Sequence, residues 1–168
     1  MTPEQVDEYL AQYREAVGRV GFLEIQVPFL RKDLRRREES LAAYHALDTP
    51  VREEGMPHGS GTGNPVEKIV LKYADGRDHD ELCSDRNDLE ALEAELHEKK
   101  HIVDCVNAWL KGLNEREAWV VIHKVIDDEF SWREVIMMFR LQYGEEWSRD
   151  RLKRIKERAM EKIYDYAA

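Results

Sequence analysis

Apolar side chains return at alternating intervals of three and four through the first forty-odd residues. Val6, Tyr9, Tyr13, Ala16, Val20, Leu23, Val27, Leu30, Leu34, Leu41 and Tyr44 form the series, with Arg37 in its one polar slot. Such a spacing keeps one seam of an α-helix facing a partner helix. It predicts a helix from about residue 3 to 47, roughly 65 Å long at ~1.5 Å per residue. Pro28 lies inside it, without an N–H and crowding the preceding turn. A kink or short break is therefore expected near Val27–Pro28, and the preserved phase favours a kink over a reversal. A second seam runs through Leu89, Leu92, Leu96, Val103, Val106, Leu110 and Leu113, with Lys99 in one slot. Together they predict a coiled-coil helical hairpin, paired antiparallel within one chain or between the chains of a homodimer. A seam does not name its partner.

Charged residues make up 36% of the chain, which suits long amphipathic helices with wide solvated faces. The nine glycines and five prolines cluster, eight of them between Pro50 and Gly76. Residues 48–64, DTPVREEGMPHGSGTGN, read as a flexible linker. Asn64 and Pro65 suit a helix start, as cap and first helical residue. Val66, Ile69, Val70 and Tyr73 share one face of the helix that follows, and DGRDHD (75–80) is expected to break or weaken it. The fold class is all-α. A kinked helix (1–47), the linker (48–64) and a second helical arm (65–112) precede a C-terminal three-helix domain (113–168).

The net charge of −9 argues against a general nucleic-acid coat. The charge is uneven, however. Residues 1–112 hold 15 basic and 23 acidic side chains, whereas residues 149–164 hold seven basic and three acidic. One short basic helix on an acidic body fits contact with DNA at one place only. The charged start of the chain, MTPEQVDEYLAQYREAV, does not resemble a signal peptide, and no apolar run nears the ~20 residues of a membrane span. A cytosolic protein with Cys83 and Cys105 reduced is expected.

The last third changes style. Residues 114–128 predict one helix with Ala118, Ile122 and Val125 inward. Ser131-Trp132-Arg133-Glu134 has the form of a capping box opening a second helix, with Val135, Ile136 and Phe139 as its apolar face and Gly144 at its end. Ser148 suits the cap of a third helix, and Asp150 suits the positive end of its dipole. Three short helices with a tight turn before the last make a helix-turn-helix. In the third helix Leu152, Ile155, Ala159 and Ile163 share one face. Arg151, Arg154 and Arg158 form a ridge on the other, flanked by Arg149, Lys153 and Lys156. Arginine can bridge guanine O6 and N7 while lysines hold phosphates. Arg133, in the first turn of the preceding helix, completes the candidate DNA-binding set.

Residues 113–163 resemble the fourth conserved region of primary bacterial sigma factors. Leu113, Arg116 and Glu117 match that family's Leu-x-x-Arg-Glu opening. Ser131, Glu134 and Val135 match its second helix. Ser148 to Ile155, closing with Ala159 and Ile163, match its recognition helix. The resemblance implies that Arg149, Asp150, Lys153 and Arg154 read promoter DNA, with Arg151 on phosphate. One stretch departs from the family: Met137 to Trp147 is longer than its short turn, which predicts a widened turn. The chain as a whole resembles phage-encoded transcriptional regulators related to sigma factors, in which a helical pair and a Met-Pro-His-Gly-type linker precede such a domain. Met56-Pro57-His58-Gly59-Ser60-Gly61 and Asn64-Pro65-Val66-Glu67-Lys68 carry that match. It implies transcription regulation in the cytoplasm of a bacterial host, with double-stranded DNA and RNA polymerase as partners.

Other motifs carry less. His97-Glu98-Lys99-Lys100-His101 has the zinc-protease spacing, with Cys105 one turn on, but two lysines beside it disfavour a cation. Asp78, His79, Asp80 and Cys83 also suggest a metal, but they fall in an expected turn where solvated polar side chains account for them equally well. Gly59-Ser60-Gly61-Thr62-Gly63 lacks the Lys and the strand of a phosphate loop. Trp109, Trp119, Trp132 and Trp147 read as packing around the C-terminal bundle. No nucleophile–base pair or carboxylate dyad stands out, so no enzyme activity and no cofactor or metal is expected. The alternative reading is an interaction protein that does not read DNA. It would bind RNA polymerase or serve as a coiled-coil assembly factor, such as a phage DNA-packaging subunit.

Overall fold

The computed structural model describes the backbone of residues 1–47 and 65–168 and the side chains of residues 1–43 and 80–168. The expected linker at 48–64, the cap at Asn64 and the apolar face Val66–Tyr73 lie outside these. The architecture is all-α, with no strand among the described residues. Helix α1 (Pro3–Leu47) and α2 (Pro65–Gly112) are followed by α3 (Glu115–Val121), a π-helical turn (Ile122–Ile126), α4 (Trp132–Tyr143) and α5 (Arg149–Ala167).

Neither of the two segments expected to interrupt a helix breaks it. Helix α1 runs through Pro28 without a break, and α2 runs through DGRDHD from Pro65 to Gly112. Glycine and aspartate cost at most about 1 kcal/mol each inside a helix. Strong helix formers on both sides carry the segment across. Pro65 stands at the start of α2, where its missing N–H is not needed.

The chain divides into two compact units, residues 1–22 with 96–168, and residues 23–95. In the second unit Leu23, Val27, Leu34 and Leu89 are buried. Arg31 pairs with Glu93 at 2.6 Å, Arg37 with Asp85 at 2.7 Å, and Arg86 with Glu38. Rising numbers on α1 meet falling numbers on α2, so this pairing is antiparallel and lies within one chain. Arg37 fits its polar slot by also bonding Asp33 on its own helix.

The first unit holds two apolar clusters. One gathers Val6, Leu10, Val106, Trp109, Leu113, Val121, Ala159, Met160 and Ile163. The C-terminal helices thus share a core with the ends of α1 and α2, and residues 113–168 do not enclose it alone. Ile102, Val106 and Trp109 are the buried residues of α2 here, followed by Leu113 just beyond its end, while Val103 and Leu110 are only half-buried. The seam has rotated to admit the broad Trp109 indole, which packs on Tyr9. The second cluster, Val120, Val135, Phe139, Trp147 and Leu152, joins α3, α4 and α5.

Residues 114–128 do not form a single regular helix. Asn114 and Glu117 cap α3 reciprocally, and Val120 and Val121 are its most buried apolar residues. The next turn widens to a π-turn over 122–126, leaving Ala118, Ile122 and Val125 half-buried. His123 there stacks on Trp119, centroids 4.0 Å apart. The expected Ser131–Glu134 capping box opens α4, and Gly144, at φ 68°, closes it. Only glycine takes that left-handed conformation at no steric cost.

Candidate nucleic-acid interface

The geometry of α5 follows from its two faces. Ser148 accepts a hydrogen bond from the Arg151 backbone N–H and starts the helix. Leu152, Ala159, Met160 and Ile163 are buried and hold one side against the bundle. Ile155, expected inward, is half-buried at the edge of a groove. The opposite side therefore turns out, and Arg149, Asp150, Arg151, Arg154 and Arg158 are all exposed. Lys153 and Lys156 are half-buried. Among the described residues, Arg149, Lys153, Arg154, Lys156 and Arg158 enter no ion pair.

Arg151, Arg154 and Arg158 line an open groove of about 740 Å³, together with Asp150, Trp147 and Arg116. Arg116 comes from the first turn of α3 and was legible only as part of the Leu-x-x-Arg-Glu motif. Trp147 is a second residue whose role the sequence did not reveal. Two guanidinium groups lie near its ring, Arg151 at 4.0 Å and Arg116 at 5.2 Å from the centroid. It packs on Phe139 at 4.6 Å. The indole thus props Arg151 from beneath by a cation–π contact, while Glu145 holds Arg116 at 2.5 Å.

Glu117 forms the floor. Its side chain is buried, accepts Lys162 Nζ at 2.8 Å on both oxygens, and accepts the Asn114 backbone N–H. Burial pushes its carboxyl pKa up, but the hydrogen bonds from Lys162 and Asn114 and the charges of Lys162 and Arg158 outweigh this, leaving it below its ordinary value. The Lys124 ammonium, with a further contribution from Lys156, likewise lowers Asp128.

Arg133 stands apart from this groove. It is exposed in the first turn of α4 and lines a second hollow of about 510 Å³ with Ile136, Met137, Arg140 and Trp147. The turn between α4 and α5 spans Gly144 to Ser148, longer than the three or four residues usual in a helix-turn-helix.

The zinc-protease spacing places His97 and His101 on the exposed side of α2. Cys105 Sγ lies 3.8 Å from the His101 ring, and the exposed Cys83 is distant in sequence. Among the described residues no three His, Cys, Asp or Glu side chains are grouped to hold a metal, and no helix is long and apolar enough to cross a membrane.

The face presents cations without ion pairs along the first half of a helix seated in the core, with Asp150, Glu157 and Glu161 exposed beside them. It can accept phosphates and present guanidinium groups to base edges. Comparison with known proteins returns no match to this chain, whether family model, curated protein or solved structure.

Proposed function

We propose that this protein is a sequence-specific DNA-binding transcription regulator that reads promoter DNA with α5. One observation carries the reading: Arg149, Arg151, Arg154 and Arg158 are exposed on the N-terminal half of a helix whose other side is locked into the bundle core. A rigid helix with outward arginines is what insertion into a major groove requires. Arg149 and Arg154 are assigned to base edges, with Asp150 and Lys153 beside them. Arg151, Lys156 and Arg158 are assigned to phosphates, and Arg133 to the backbone flanking the groove. The likeness of residues 113–163 to a sigma-factor promoter-reading region adds RNA polymerase as a partner and a phage late-gene setting.

The test is a fluorescence titration of the full chain against promoter fragments and scrambled duplex. Arg154→Ala should weaken specific binding by about 1–3 kcal/mol and leave scrambled-duplex binding less affected. Equal affinity of the wild type and an Arg149/Arg154 double alanine variant rejects the reading.

A second reading has its own support. Met137 and Leu141, one turn apart on α4, are 58% and 80% exposed. Apolar side chains so placed suit a protein partner, such as RNA polymerase, without DNA contact. Polymerase capture abolished by Met137→Glu and Leu141→Glu, with no duplex binding at low salt, selects it.

A further inference from the structure

The groove beside α5 takes its cations from two separate elements. Arg151, Arg154 and Arg158 stand on α5, and Arg116 joins them from the first turn of α3. Arg151 and Arg116 approach the same Trp147 ring. The three arginines of α5 enter no ion pair among the described residues. Arg116 gives Nη2 to Glu145 at 2.5 Å, which leaves most of its five N–H donors available. That pair is partly exposed, so it resists a competing anion only weakly. The acids of the groove do not balance these charges. Glu117 is buried and takes Lys162 Nζ on both oxygens, so Asp150 is the acid left against four guanidinium groups. The hollow of about 740 Å³ falls within the ~300–1,000 Å³ usual for small-molecule sites. Its α5 arginines follow one another at i, i+3 and i+7, a row about 10 Å long at ~1.5 Å per residue. A row of that length suits a chain of phosphates better than a single one.

We propose that this groove binds a compact polyphosphate, the charged tail common to inorganic polyphosphate and nucleoside triphosphates, and that its occupant excludes a DNA duplex from α5. The α5 row holds successive phosphates, and Arg116 grips the chain from α3. Each guanidinium group can give a phosphate two parallel hydrogen bonds. The binding itself is independent of the DNA reading. The exclusion rests on that reading, because Arg151, Arg154 and Arg158 would serve both ligands.

The experiment is calorimetry of the full chain with sodium tripolyphosphate, ATP and orthophosphate, at ionic strength held constant with sodium chloride. Tripolyphosphate should bind one to one, with a dissociation constant tighter than about 1 mM. Orthophosphate should bind at least tenfold more weakly. Equal affinity for ATP assigns the interaction to the phosphate chain alone, and tighter ATP adds the nucleoside; both support the groove. Arg116→Ala and Arg158→Ala, on separate elements, should each weaken tripolyphosphate at least tenfold. Lys111→Ala, the same loss of charge at an exposed position outside the groove, should change it less than twofold. Tripolyphosphate should also displace a bound promoter fragment at constant ionic strength. Absence of saturable binding overturns the proposal. So does affinity indifferent to both arginine variants, an equal loss in Lys111→Ala, orthophosphate binding as tightly as tripolyphosphate, or simultaneous binding of duplex and tripolyphosphate without competition. A chain that binds tripolyphosphate but no duplex keeps the groove and rejects the DNA reading, and a chain that binds duplex but no tripolyphosphate does the reverse.

Discussion

Glu117 shows how one side chain can serve fold and site together. It caps α3, anchors Lys162 of α5 and lies close enough to Arg158 to feel its charge. Its folded pKa lies below the ordinary 4.5. The stabilisation it provides is therefore complete above that value and is lost as pH falls through the lowered one. Glu117→Gln should cost about 2 kcal/mol at neutral pH, as expected for losing a hydrogen bond to a charged group. The melting temperatures of variant and wild type should converge as pH drops below about 4.5. A gap that holds constant down to pH 3 would show that Glu117 carries no such linkage. In the sequence, Glu117 was visible as a motif residue. Its burial was not, because the partner Lys162 lies 45 residues away and local patterning carries no such pairing.

Among the elements, those marked by local chemistry were the most legible. Ser131 with Glu134 marked the start of α4, Gly144 its end, and Ser148 the start of α5, each through a bond or backbone conformation made within a few residues. Gly144→Ala forces a Cβ into the left-handed region and should cost about 1 kcal/mol. That loss should appear as a lower urea midpoint at unchanged slope, whereas an unchanged midpoint would mean that the turn relaxes freely. Elements shaped by distant packing were harder to read. The π-turn at 122–126 has no local signature, and the buried line of α2 shifts to Ile102 and Trp109 because a wide indole must fit against Tyr9. DGRDHD misled in the opposite sense, since weak propensity inside a 48-residue helix is overruled by its flanks.

At the scale of the molecule, the acidic balance of −9 and the cationic face of α5 pull against each other. Duplex binding should therefore be steeply salt-dependent, since released counterions drive it and the acidic remainder opposes it. Lys156→Ala should lower the slope of log affinity against log salt by about one while leaving sequence preference intact. An unaltered slope would remove Lys156 from the phosphate contacts. The all-α architecture was readable from the seams alone. The sharing of one core between the chain's first 22 residues and its C-terminal helices was not, because Val6 and Leu10 meet Ala159 and Ile163 only after both ends have folded.

Trp147 gives the proposed reading face an optical property of its own. Its indole contacts the guanidinium groups of Arg151 and Arg116 and lines both hollows beside α5. Its excited state senses any shift of those guanidinium groups. A phosphate that draws Arg151 away would change the emission of the protein without an added dye, so the fluorophore is already in place where occupancy would be decided.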